Sequence, residues 1–271
     1  MVSTNEAIAA IVDKPDFRHV VSVSGGKDSA ALAVYLKEKY PEIPAEYVFC
    51  DTGTELPETY EFLAKLEAVL GVKIQRVNAL QMMGVREKPG RNAFDWVLNE
   101  RYGGYLPNPR MRWCTRVLKI QPFEHFIGNT SAYSYIGIRA DENRDGYQAK
   151  KKPPALSSKQ NIVPVYPFKD DEIRYKEVQD ILEDNGLGFP DYYRWRSRSG
   201  CYFCFYQQKG EWQGLKREHP KLYKSAMKYE EADNNKFTWV EGRTLEQLAL
   251  DEKEYPIQDV DDADGCAICH L

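Results

Sequence analysis

The chain has 271 residues, 42% of them hydrophobic and 29% charged, with a formal net charge of -4. That length and apolar content suffice to bury a sizeable core and fit one α/β domain with a smaller appended part better than two equal domains. Three features exclude whole classes. No run approaches the roughly 18 uninterrupted apolar residues of a membrane span, the opening MVSTNEAIAAIVDKPD lacks the basic-then-apolar pattern of a secretory signal, and the acidic balance argues against a generally basic nucleic-acid binder while leaving room for a local basic track. A cytoplasmic location without membrane contact is the expectation.

His19 to Ser24 reads as a short strand and runs directly into glycines and the Ala- and Leu-rich segment DSAALAVYLKEKY. The latter has helical spacing, with Asp28 and Ser29 where a helix start favours oxygen acceptors. Glu46 to Asp51 is a second strand, Pro57 to Leu70 a helix with proline in its first turn and Gly71 beyond its end, and Val72 to Val77 a third strand. Strand and helix alternating at these intervals predict a doubly wound, mostly parallel sheet, whose ligands bind at the carboxyl ends of the strands. Residues 78–112 lose the pattern and read as a functional loop or lid. A helix near Pro122–Ile127, a strand over Ala132–Ile138, a basic loop with Lys150, Lys151 and Lys152, and a helix over Asp171–Asn185 follow. Beyond Gly186 the composition turns to Tyr, Trp, Arg and Cys, which divides the chain into a nucleotide-binding part, 1–186, and a Cys-containing, basic-aromatic part, 187–271.

The segment Ser24-Gly25-Gly26-Lys27-Asp28-Ser29 joins a strand to a helix. Unpaired backbone N–H groups at a positive helix end form an anion site, glycines let phosphate approach the backbone, and the two serines add hydroxyls. Lys27 adds a point charge unless it faces solvent. The spacing is not that of Walker A.

This loop is similar to the SGGxDS loop of the N-type ATP pyrophosphatases, which cleave ATP between the α and β phosphates. Asp51-Thr52-Gly53, Leu56 to Tyr60, Arg112-Trp113-Cys114-Thr115, Leu118 to Pro122, Gly137 to Glu142 and Gly200-Cys201-Tyr202-Phe203-Cys204 resemble the phosphoadenosine-phosphosulfate reductase branch of that superfamily. The resemblance covers roughly residues 18 to 210 and implies a fold like that of the adenine-nucleotide α hydrolases. Sulfonucleotide reductases typically have a degenerate loop and a terminal Glu-Cys-Gly-(Leu/Ile)-His motif. Here the loop is intact, and the end, Gly265-Cys266-Ala267-Ile268-Cys269-His270-Leu271, departs from that motif. The intact loop resembles more the ATP pyrophosphatases of DNA phosphorothioation systems, of the DndC and SspD type. That likeness implies adenylation of a DNA backbone phosphate before sulfur incorporation, with DNA and a cysteine desulfurase or other sulfur donor as partners. A sulfonucleotide reductase releasing sulfite and a non-catalytic adenine-nucleotide-binding module are the alternatives, and the tRNA thiolases are a third relative.

Adenylation requires neutralised phosphates, a cation for the departing pyrophosphate and in-line placement of the acceptor. ATP and Mg²⁺ are therefore the expected cofactors. Asp28 and Asp51 are candidates to orient the ion, unless they are a helix cap and a turn former. Arg139 is the candidate phosphate clamp, since its fork holds oxygens bidentately. Arg116 and Lys119 face either the same anion or solvent. Cys201-x-x-Cys204 and Cys266-x-x-Cys269 are two ligand-grade pairs, open to zinc, an iron–sulfur cluster or, for the first pair, a redox disulfide. The resemblance places Cys114 beside Cys201 and so favours a [4Fe-4S] cluster on Cys114, Cys201, Cys204 and one terminal cysteine. Cys50, inside an apolar run, reads as a buried thiol. Arg194-Trp195-Arg196-Ser197-Arg198, with Lys209, Lys216, Arg217, Lys221 and Lys224 beyond it, reads either as a track for a sugar-phosphate backbone or as a solvated helix face.

Overall fold

The computed structural model describes residues 2–86, 88, 90, 92–142, 157, 159–232 and 237–258. Lys150 to Lys152 and the pair Cys266 and Cys269 lie outside the described residues. In chain order the elements are α1 (Thr4–Asp13), β1 (Arg18–Ser22), α2 (Lys27–Lys39), β2 (Ala45–Cys50), α3 (Pro57–Leu70), β3 (Gln75–Val77), α4 (Ala79–Met82) and α5 (Ala93–Tyr102). Next come α6 (Trp113–Thr115), a π-helical turn (Arg116–Ile120), α7 (Gln121–Ile127), β4 (Ala132–Tyr135), β5 (Ile162–Val165), α8 (Pro167–Asp170) and α9 (Tyr175–Asp184). A 3₁₀ turn (Asp191–Arg194), α10 (Lys209–Glu218), α11 (Pro220–Ala232) and α12 (Leu245–Ala249) complete the set.

The five strands form one sheet in the order β3-β2-β1-β4-β5, with every pair parallel. The expected doubly wound architecture is therefore present. Chain order reverses between β1 and β4, so a crevice opens there at the carboxyl ends of the strands, where doubly wound sheets hold ligands. One apolar core lies between the sheet and α2, α3 and α9, with Val21, Leu32, Leu36, Phe62, Leu66 and Tyr135 buried in it.

A second core unites segments distant in sequence. It joins Leu56, Leu80, Phe94, Val97 and Trp113 to Tyr192, Phe203, Trp212 and Trp239. Residues 78–112 are thus less irregular than expected. Asn92 accepts the amide of Asp95 (2.8 Å) and caps α5, whose Phe94, Val97 and Leu98 are buried, and Gly103 ends the helix at φ 55°. Lys209 to Lys224, read as one helix face, fall on two helices, with Pro220 opening the second.

Candidate functional site

β1 ends at Ser22, and the chain turns through Ser24-Gly25-Gly26 into α2. Gly25 sits at φ 75°, which carries little cost only for a residue without Cβ, and an added Cβ would stand 2.4 Å from Thr59 Cγ2. Glycine here is a requirement of the turn and of the close approach by α3.

The serines of the loop face one another. Ser29 Oγ accepts the Ser24 amide (3.0 Å), Ser24 and Ser29 hydroxyls lie 3.0 Å apart, and Ser24 Oγ accepts the Gly26 amide (3.3 Å). A third hydroxyl comes from far along the chain: Ser199 Oγ is 3.4 Å from Ser24 Oγ. The same C-terminal segment grips the backbone of the loop. Tyr192 donates its hydroxyl to the Gly25 carbonyl (2.7 Å), and the Lys27 amide donates to the Tyr193 hydroxyl (3.4 Å). Hydroxyls and amides thus gather at the start of a thirteen-residue helix, the kind of setting that suits a phosphate-sized anion.

Beside the loop lies a buried ionic knot. Asp28, 1% exposed, accepts Lys27 Nζ on Oδ2 and Arg139 Nη1 on Oδ1, both at 2.8 Å. Arg139 also reaches Asp141 Oδ1 (Nε, 3.0 Å) and Glu142 Oε1 (Nη1, 2.7 Å). Gly137 makes this possible, since a Cβ there would come within 3.0 Å of the Asp28 carbonyl. Burial works against both cations. For Lys27 the neighbouring Tyr193 and Asp28 outweigh it, for Arg139 Asp28 and Glu142 do, and both stay protonated. Three carboxylates surround Arg139, so a phosphate would have to displace or share one of them. Asp28 is occupied by two cations, which makes it the charge partner that holds Lys27 and Arg139 at the crevice.

Asp51 follows β2 and its backbone amide pairs with the Val77 carbonyl. Its Oδ1 accepts the Gly53 amide (2.8 Å) and the Tyr60 hydroxyl (2.9 Å). Thr52 donates to Glu55 Oε1 (2.7 Å) and lies 3.5 Å from Cys201 Sγ. Glu55 is a functional candidate the sequence reading missed. Burial, then the nearby Asp51, pushes its carboxyl up to about 6. Burial and Glu55 likewise push the Cys201 thiol up to about 11, with Lys119 opposing. Lys119 thus belongs to this cluster, whereas Arg116 is exposed. Cys50 is half-buried rather than fully buried as expected; its Sγ donates to the Lys119 carbonyl (3.4 Å) and its surroundings push the thiol up to about 12 by desolvation.

Residues 18–207 match the family model of the phosphoadenosine phosphosulfate reductase domain. The chain belongs to that family. A 29% identical relative over 210 residues is an uncharacterised protein of Methanocaldococcus jannaschii, matched over 75% of this chain. A phosphoadenosine 5'-phosphosulfate reductase of Photorhabdus laumondii is 25% identical over 173 residues and is matched over 63% of this chain. The chain spans 39% and 63% of the lengths of these two relatives. Among solved structures, the U34-tRNA thiolase NcsA of Methanococcus maripaludis with its [4Fe-4S] cluster is similar over 80% of this chain and 72% of that chain, at 17% identity and a TM-score of 0.40.

In this phosphosulfate-reductase-type domain Cys201 and Cys204 form a tight turn, the Cys204 amide donating to the Cys201 carbonyl (3.1 Å). Neither is disulfide-bonded, and the same holds for Cys50 and Cys114. Among the described residues no three His, Cys, Asp or Glu side chains converge as metal ligands. The turn and Cys114 therefore do not make a complete cluster or zinc site by themselves.

The turn is held from behind by the basic strip. Arg196 is 1% exposed and donates to the carbonyls of Gly200 (3.1 Å) and Cys201 (2.8 Å). Arg198 is buried, donates to the Tyr206 carbonyl (2.6 Å) and lies over the Tyr206 ring. Trp195 is buried too, and only Arg194 of the three arginines is exposed. Trp195, Arg196 and Arg198 thus form an internal brace and cannot line a surface track, whereas Arg194, Lys209, Lys216, Arg217, Lys221 and Lys224 are exposed. Among the described residues no helix is long and apolar enough to cross a membrane.

Proposed function

We propose that this protein is an ATP pyrophosphatase that adenylates a nucleic-acid backbone phosphate, preparing it for sulfur incorporation as in DNA phosphorothioation. The observation that carries the reading is the complete phosphate nest. Gly25 in its left-handed turn, the Ser24, Ser29 and Ser199 hydroxyls and the Lys27–Asp28–Arg139 knot sit together where the sheet's chain order reverses. Membership in the phosphosulfate reductase family supports sulfur chemistry on an adenine nucleotide. The intact loop, and its likeness to the phosphorothioation enzymes, favours cleavage of ATP.

In this reading the nest receives the departing pyrophosphate, and Lys27 and Arg139 neutralise the charge that develops there. Asp51, at the end of β2, is the carboxylate placed to orient Mg²⁺, because Asp28 is already committed to two cations. Magnesium would supply charge neutralisation of the phosphates when bound. The Cys201–Cys204 turn supplies two thiols, which Cys114 and one terminal cysteine would complete for a [4Fe-4S] cluster and Cys266 and Cys269 for zinc. A cysteine desulfurase or similar protein is the expected sulfur source.

Labelled ATP with Mg²⁺ should give AMP and pyrophosphate, and Ser24→Ala should remove most of the turnover. ADP and phosphate as products would overturn the assignment. The family match favours a second reading, a sulfonucleotide reductase. It predicts sulfite release from a sulfonucleotide with a thiol donor and no pyrophosphate from ATP.

A further inference from the structure

A cavity of about 1000 Å³ lies between α5, the turn that follows it and α11, and none of its lining residues belongs to the phosphate nest. It shares a wall with the β2 loop. An added Cβ on Gly53 would stand 2.8 Å from Asn92 Cβ, and the Tyr202 amide donates to the Thr54 carbonyl (2.9 Å), so two lining residues are fixed directly to the Asp51–Glu55 segment. Nothing in the reading above uses this space.

Its chemistry is specific. Tyr105, 53% exposed, is the accessible ring of the lining; Tyr202, 7% exposed, and Tyr229, packed on Phe94 and Phe203, complete the aromatic wall. Asn92, Asn99 and Asn108 bring three carboxamides to the lining; Asn108 is engaged at both ends and Asn92 Oδ1 and Asn99 Nδ2 hold backbone partners, which leaves Asn92 Nδ2 and Asn99 Oδ1 for a ligand. The one lysine or arginine among the lining residues is Lys228, and the lining carboxylate, Asp95, accepts the Tyr229 hydroxyl (2.7 Å). A groove built for a run of phosphates would carry several cations. Ring faces with amide donors and acceptors suit a planar heterocycle with a hydrogen-bonding edge, and a single lysine suits one phosphate beside it. The volume stands at the upper end of small-ligand pockets, at roughly 300–1,000 Å³.

We propose that this cavity seats an unpaired base of the acceptor nucleic acid, with Tyr105 as stacking platform and Lys228 as contact to the flanking phosphate. This rests on the nucleic-acid reading given above and adds the subsite by which the acceptor is gripped. A base held behind the β2 loop would fix the strand next to the segment that carries Asp51, while ATP occupies the crevice between β1 and β4.

The test uses the full chain and fluorescence anisotropy with a labelled single-stranded DNA, alongside the same strand carrying abasic positions. Tyr105→Ala should weaken binding of the intact strand roughly tenfold, within the range for loss of one base–aromatic stack. Tyr105→Phe should restore it, and the abasic strand should bind wild type about as weakly as the intact strand binds the alanine variant. Lys228→Ala should reduce the salt slope by about one. ATP binding should be unchanged throughout, which excludes a folding defect. If wild type binds the intact strand but neither Tyr105→Ala nor the abasic positions weaken it, the base seat is wrong and the nucleic-acid acceptor stands. If wild type turns ATP over to AMP yet binds no strand, the nucleic-acid reading fails and the seat with it.

Discussion

Alanine at position 25 would add one methyl group at φ 75°, 2.4 Å from Thr59 Cγ2. Two costs combine. The left-handed backbone disfavours any Cβ by about 1–2 kcal/mol, and forcing a methyl into a packed contact costs roughly 1–3 kcal/mol more. Gly71 separates them, because it caps α3 at φ 71° with nothing within 4 Å of its Cβ position. Gly71→Ala should therefore lose only the first amount and Gly25→Ala roughly 2–5 kcal/mol in urea unfolding. Thr59→Ser removes the clashing methyl, so the double variant Gly25→Ala/Thr59→Ser should recover about 1–2 kcal/mol relative to additivity. ATP turnover should fall in Gly25→Ala and return in part with the double variant, since α3 sets the position of the loop. A Gly25→Ala cost no larger than that of Gly71→Ala, with no coupling to position 59, would refute the close-approach argument.

Glu55 gives a pH signature. Its folded value is raised from 4.5 to about 6, so between those values the native state holds the proton longer than the unfolded chain, and stability falls as pH rises through that window. The loss should be on the order of 1–2 kcal/mol, and Glu55→Gln should remove that part of the profile. Arg196→Ala leaves two buried carbonyls of the cysteine turn without their donor and should cost roughly 2–4 kcal/mol in urea unfolding; a near-neutral result would contradict the internal brace. Anaerobically purified protein should carry iron and acid-labile sulfide, and Cys201→Ser or Cys204→Ser should remove both. Stoichiometric zinc without iron would assign the thiols to a zinc site instead.

The sheet and the phosphate loop were legible because their signals are local. Strand, glycine pair and helix follow one another without a break over residues 18–39, and α3 carries both its proline and its terminal glycine. β5 was hidden by Pro164, which a strand tolerates only at an edge, and β5 is an edge strand. The helix expected over 171–185 starts later, at Tyr175, after the non-glycine left-handed residue Glu172 (φ 57°). The partners of the loop were not legible at all. Ser199 and Tyr192 reach Ser24 and Gly25 across more than 160 residues of chain, and no local pattern announces such a contact. The arginines failed for a different reason: composition gives charge but not burial, and Arg196 and Arg198 spend theirs on backbone carbonyls. Glu55 stood in plain sight within Asp-Thr-Gly-Thr-Glu, but only packing shows that its carboxyl is buried beside Asp51 and Cys201.

Pyrophosphate–ATP exchange tests the central claim most directly. Adenylation of an acceptor is reversible, so labelled pyrophosphate should enter ATP when Mg²⁺ and the acceptor nucleic acid are both present, and Ser24→Ala or Asp28→Ala should abolish the exchange. No exchange under any acceptor, together with sulfite released from a sulfonucleotide by a thiol donor, would contradict the account and make the protein a reductase.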